Sequence, residues 1–203
     1  MKLVGMLDSP YVRRVAICLK LLEVEFEHQS LSVFSTFDEF RQINPVVKVP
    51  TLVLDGGQVL MDSCLILEYL GSLVPSRSLW PSQPAARIRA TRLVGLALAA
   101  NEKAVQVVYE HKLRPAEKLH EPWLERVHLQ LFSALGELEQ ELAREPLSTE
   151  PQALGQAEVS IAVAWSFTQL MLPLLVQVEE FPRLAAFAKA LEQLPVFIET
   201  PAV

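Results

Sequence analysis

Along the first third of the chain the spacing of apolar positions shifts repeatedly, and each shift predicts an element. Lys2–Met6 is a short, largely apolar run that reads as an inner strand. Asp8-Ser9-Pro10 follows, with a helix-capping residue and a proline suited to the first helical position. Val12, Val15, Ala16, Leu19 and Leu22 then recur at helical spacing, which predicts a helix over Pro10–Leu22 with Cys18 inside the pattern. From Glu25 to Leu31 side chains alternate, the signature of an exposed edge strand. Phe37, Phe40 and Ile43 predict a short irregular helix over Thr36–Ile43, which Asn44-Pro45 ends. Thr51–Leu54 and Gln58–Met61 are β-type runs joined by Asp55-Gly56-Gly57, so they form an antiparallel hairpin. Asp62-Ser63 offers caps for a helix carrying Leu65, Ile66, Tyr69, Leu70 and Leu73.

The pattern changes character at Pro75–Pro84, a stretch of prolines and serines with linker composition. Beyond it only helical spacing remains, over Ala85–His111, Pro122–Arg144, Gly155–Val178 with a bend expected near Pro173, and Pro182–Leu194. Val159–Val178 has no charged residue and the length of a membrane span. Ser160, Ser166, Thr168, Gln169, Gln177 and Pro173 interrupt it and no basic cluster flanks it, so it reads as the buried helix of a helical domain. The expected division is 1–74, a linker over 75–84, and an all-α domain over 85–203.

Charge and cysteine usage narrow the function classes. The net charge is −6, leaving no diffuse positive field for nucleic acid or an anionic membrane. The crowded Arg87, Arg89 and Arg92 read as a solvated or subunit-facing helix surface. No secretory leader is expected in the opening residues, and Cys18 and Cys64 lie too far apart in sequence for a disulfide framework or a metal cluster. Both cysteines read as small buried hydrophobes, and a reducing cytoplasm suits them.

The first domain is a βαβ half, a short helix and a ββα half, with Val49-Pro50 just before the first hairpin strand. That is the plan of a thioredoxin-like α/β domain with a mixed four-stranded sheet. A cis bond at Pro50 would cost only about 0.5–1 kcal/mol over trans and would turn the Val49 N–H and C=O outward, where an extended peptide pairs as an added strand. With Ser9-Pro10-Tyr11, Arg13, Lys48-Val49-Pro50, Asp62-Ser63 and an all-helical second half in order, the chain resembles the cytosolic glutathione S-transferases over nearly its whole length. Ser9 falls where glutaredoxins and omega-class transferases carry a cysteine and where the plant tau class carries its serine.

The resemblance implies glutathione as co-substrate, no metal, a small hydrophobic electrophile as second substrate, and a homodimer. Glutathione has two carboxylates, one ammonium and a thiol, and a helix N-terminus suits an anion. The implied arrangement sets the γ-glutamyl carboxylate on the Ser63 hydroxyl and N–H, its ammonium near Asp62, and a carboxylate within reach of Lys48. Ser9, at the dipole-positive end of the first helix, would donate to the sulfur and favour the thiolate, acting as a hydrogen-bond donor and not as a nucleophile. Asp8 beside the sulfur would oppose this unless paired, with Arg13 as its expected partner. Tyr11 is a rival donor. Leu7, Tyr11, Phe34 and Tyr109 are the expected wall for the electrophile, with His111 and Leu113 as alternatives.

Two other functions stay open on sequence. A glutathione-dependent thiol–disulfide oxidoreductase or peroxidase would have to use Cys18 or Cys64, because Ser9 forms no mixed disulfide. A non-enzymatic docking protein would keep the fold and lose the ligand. One departure from the family lies at Gly155-Gln156-Ala157-Glu158, where the usual Ser/Thr-x-x-Asp box keeps only its acidic half.

Overall fold

Leu3 and Val4 are fully buried, and the strand they belong to, β1 (Lys2–Val4), lies inside the sheet. The computed structural model, which describes residues 1–202, orders four strands as β2-β1-β3-β4, with β2 at Glu27–Gln29, β3 at Thr51–Val53 and β4 at Val59–Met61. β1 runs parallel to β2 and antiparallel to β3, and β3 is antiparallel to β4. This is the mixed thioredoxin-like sheet that the sequence predicts. Each strand is shorter than its apolar run because pairing sets strand length, and side-chain pattern alone does not.

Helix α1 (Pro10–Leu21) buries Val12, Val15, Ile17, Cys18 and Leu19, and α3 (Ser63–Leu73) packs against it. A fully buried leucine, isoleucine or valine contributes about 1.5–3 kcal/mol, so this layer is a main source of the unit's stability. The short α2 (Phe37–Ile43) inserts Phe40 beside Val4 and Leu31.

The remaining helices are α4 (Pro84–Lys112), α5 (Glu121–Arg144), α6 (Gln156–Met171), α7 (Pro182–Leu191) and α8 (Pro195–Ile198). The chain divides into Met1–Trp80 together with the segment from Gln193, and Pro81–Glu192. The expected helical domain therefore gives up its last stretch. Leu194 is extended, as the residue before a proline prefers, so α7 stops at Leu191 and not Leu194, and Pro195 starts a new helix. α8 returns to α1, where Arg13 Nε donates to Thr200 O at 2.7 Å and Lys20 pairs with Glu199 at 2.6 Å. Nothing in the local pattern signals this long-range return.

A second correction concerns α6, which ends at Met171 and does not bend onward to Val178. Pro173 lacks an N–H, and within a continuing helix its ring would clash with the carbonyl of Gln169, so the chain turns instead. Val176 N donates to Leu172 O, and Gln169 Nε2 to Val176 O. Before that stop α6 is buried on nearly every side, and Thr168 Oγ1 is satisfied by Ala164 O. No helix of the described residues is long and apolar enough to cross a membrane. At the start of α6 the half box works as the sequence predicts, with Gly155 N donating to Glu158 Oε2 at 3.0 Å.

The second unit carries a pH-sensitive group that the sequence does not reveal. Nε2 of His128, on α5, is buried with no partner among the described residues. Burial, and then the nearby His111 charge, hold its pKa below the ordinary 6.5. A folded-state value below the unfolded one selects the neutral ring, so the stability it brings is complete above about pH 6.5 and is lost as pH falls through the lower folded value. Thermal midpoints should therefore fall from pH 7 to 5 more steeply for the wild type than for His128→Leu. Parallel profiles for the two proteins would contradict this.

Candidate functional site

Strand register places the motifs side by side. Val4 pairs with Thr51, and Thr51 with Met61, so one step beyond the pairing brings Gly5, Pro50 and Asp62 to the same edge of the sheet. The carboxyl ends of β1 and β4 meet the amino end of β3 there, and the first turns of α1 and α3 begin close by. Gly5 has φ +136°, and a Cβ on it would lie 2.7 Å from Val12 Cγ2 and 2.9 Å from Val49 Cγ1. Val49 is thus seated directly on the end of β1.

The Val49–Pro50 bond is cis, as expected. Among the described residues neither the Val49 N–H nor its C=O takes a hydrogen bond, and this edge of backbone is open. Next to it Thr51 Oγ1 donates to Lys48 O at 2.7 Å and accepts from Asn44 Nδ2 at 2.8 Å, which fixes the approach to Pro50. Lys48 itself is exposed.

Ser9 has the backbone of an N-cap, but its hydroxyl makes no capping bond and has no partner among the described residues. Its main chain is held by Ser9 N to Met6 O and by Arg13 N to Ser9 O. A half-exposed hydroxyl is therefore unspent at the first turn of α1, where the helix dipole favours negative charge. Asp8 makes no ion pair among the described residues, and the expected Arg13–Asp8 pairing is not formed. Arg13 turns the other way, onto Thr200 O, Phe197 O and the Phe197 ring, 5.6 Å below its guanidinium.

At the start of α3, Asp62 has φ +70°, which few non-glycine residues adopt. Its Oδ1 accepts from Cys64 N at 2.9 Å and caps the helix. Ser63 is 3% exposed and its Oγ accepts from Arg14 Nη1 at 3.1 Å. Arg14 carries no sequence signal of this role, because an arginine inside an apolar helix face has no short motif around it.

Of the expected electrophile wall, Leu7 and Tyr11 are half-buried and Phe34 is 54% exposed. Tyr109 lies in α4, in the other unit, and is 43% exposed. An open groove of about 630 Å³ lies elsewhere, at the opposite edge of the sheet, lined by Met1, Lys20, Glu23, Val24, Glu25, Phe26 and Glu27. None of the residues in the arrangement above lines it.

The two cysteines separate. Burial pushes the Cys18 thiol up to about 12, against a smaller opposing effect of Arg14, so Cys18 is the inert hydrophobe that the sequence predicts. Cys64 is exposed, contrary to that reading, because the second residue of α3 faces outward. The native protein should take up one alkylating label per chain, at Cys64, and a second only on unfolding. Native labelling of Cys18 would contradict the structure.

Comparison with known proteins agrees with this fold. A family model described as the glutathione S-transferase N-terminal domain matches residues 3–78. The GST-like protein YibF of Escherichia coli K12 is 30% identical over 165 residues, covering 81% of either chain. A zeta-class glutathione S-transferase of Euphorbia esula is 30% identical over 189 residues, 91% of this chain and 81% of its own. A glutathione transferase family member of Pseudomonas fluorescens Pf-5, solved with bound S-(propanoic acid)-glutathione, superposes with a TM-score of 0.80 at 33% identity over 98% of both chains.

Proposed function

The chain belongs to the glutathione S-transferase family, and we propose that it conjugates the glutathione thiolate to small hydrophobic electrophiles, with Ser9 stabilising the sulfur. The observation that carries this reading is the unspent Ser9 hydroxyl at the same sheet edge as the open Val49 backbone and the start of α3. The bound thioether in the Pseudomonas fluorescens relative is a conjugate of the kind such a reaction makes.

Glutathione lies extended, its cysteinyl backbone paired with Val49 N–H and C=O beside Pro50. Its γ-glutamyl carboxylate rests on Ser63, its ammonium faces the Asp62 carboxylate, and Lys48 reaches a carboxylate from the exposed side. The thiol loses its proton to solvent. Ser9 Oγ donates to the resulting thiolate, and the α1 dipole adds to that preference. The thiolate attacks the electrophilic carbon, a C–S bond forms, and the leaving group departs with the electrons of the bond that breaks. Ser9 is unchanged at the end and forms no covalent bond. Leu7, Tyr11 and Phe34 supply apolar surface to the electrophile.

Disulfide exchange is the weaker reading. Cys18 is buried and Cys64 would have to act alone. The protein is also proposed to be a homodimer in the cytoplasm.

Calorimetric titration with glutathione tests the reading. The wild type should bind, and Ser63→Ala should bind about tenfold more weakly, the loss expected for one hydrogen bond to a charged group. Undetectable binding by the folded wild type would end the proposal.

A further inference from the structure

Two adjacent arginines on α1 are both nearly fully buried, Arg13 at 2% and Arg14 at 1% exposure. Consecutive helical residues point about 100° apart, so the pair serves two different faces. Arg13 is a latch to the C-terminal segment, through Thr200 O and Phe197 O. Arg14 faces α3, where Nη1 donates to Ser63 Oγ at 3.1 Å and to Cys64 Sγ at 3.4 Å.

A guanidinium has donors only and stays ionised, and a serine hydroxyl has one proton and two lone pairs. With a lone pair of Ser63 turned to Arg14, its proton must point elsewhere, to an acceptor. A carboxylate is acceptor-only when ionised. Behind that hydroxyl stands a buried guanidinium, beside the partial positive charge of the α3 N-terminus. Both effects favour the same ligand atom.

We infer that Arg14 is a positioning residue for the γ-glutamyl carboxylate: from inside the protein it holds the Ser63 hydroxyl as a donor and places a buried cation behind it. This assignment rests on the glutathione reading above and deepens it, since it specifies an α-carboxylate at the γ-glutamyl end as a requirement of the ligand. Peptides that lack that group would be rejected by the same pair.

The test compares calorimetric binding of glutathione with that of 4-aminobutyryl-cysteinyl-glycine, which lacks only this carboxylate. Arg14→Gln should weaken glutathione about tenfold and the analogue less than about twofold. In a Ser63→Ala background the further loss should be smaller than in the wild type, because the two side chains act on one carboxylate. Arg14→Lys should recover part of the affinity for glutathione. Arg13→Gln should lower the melting temperature and weaken the two ligands equally, as a structural change does. Equal weakening of both ligands by Arg14→Gln, or losses at Arg14 and Ser63 that add in full, would overturn the assignment of Arg14 alone. Should Arg14→Gln fail to fold, Arg14→Lys decides, and equal weakening of the two ligands by that variant overturns it. A wild type that binds neither ligand overturns this assignment together with the reading it rests on.

Discussion

Ser9→Ala should lower kcat/KM towards an activated aryl chloride by about 10²–10³, the range seen when one preorganised donor to a developing or stored negative charge is removed. The reason lies in the state of the hydroxyl. Ser9 stands at the N-cap position of α1 with its Oγ uncommitted, so the variant gives up no capping bond and should fold normally. Its KM for glutathione should change little, because the proposed contacts of the carboxylates and of the peptide edge lie at other residues. The thiol of bound glutathione should titrate at higher pH in the variant than in the wild type, which an ultraviolet difference titration of the thiolate reads directly. Asp8→Asn should move that titration the opposite way, since Asp8 makes no ion pair among the described residues and opposes a thiolate next to it. Tyr11→Phe should leave the titration near the wild-type position. A Ser9→Ala enzyme of wild-type kcat with a Tyr11→Phe enzyme of low kcat would assign the donor to Tyr11.

Gly5→Ala should be the most damaging single change to the first unit. Alanine there must adopt φ +136°, outside the regions an L-residue occupies, and its Cβ must enter a space already held by Val12 Cγ2 at 2.7 Å and Val49 Cγ1 at 2.9 Å. Both neighbours are β-branched, and neither is the far end of a flexible side chain. Overpacking and backbone strain together should cost about 2–4 kcal/mol, seen as a fall of roughly 5–15 °C in the melting temperature. Part of the relief comes by moving Val49, whose backbone is the proposed glutathione edge, so affinity should fall along with stability. Val49→Ala in the Gly5→Ala background should recover part of the stability, because it removes one of the two clashing methyl groups. A Gly5→Ala protein that melts within about 2 °C of the wild type would contradict this account of the sheet edge.

The sequence makes some of this legible for definite physical reasons. Pro10 at the first helical position, the Asp55-Gly56-Gly57 turn and the apolar spacing of α1 and α3 are local signals, and each of those elements forms where its signal lies. The loss of α6 beyond Met171 is also local in origin, since Pro173 forbids continuation, and apolar pattern carried past a proline overstates a helix. The return of α8 to α1 is different in kind. Arg13 reads as a partner for its neighbour Asp8, and only the folded chain brings it to carbonyls more than 180 residues away. Arg14 escapes the sequence for the same reason, because its partners Ser63 and Cys64 come from another helix. Cys64 and Cys18 look alike in composition and differ only in which way their helical position faces. The motifs proposed to hold the ligand are short, and what joins Val49-Pro50, Asp62-Ser63 and the Gly5-to-Ser9 segment is the register of three strands.

A crystal structure of the protein with glutathione measures the central geometry most directly. The account predicts the cysteinyl N–H and C=O paired with the Val49 backbone, the γ-glutamyl carboxylate on Ser63, and the sulfur within about 3.5 Å of Ser9 Oγ. Glutathione lying away from the Val49 edge, or bound there with its sulfur turned from Ser9, would contradict it.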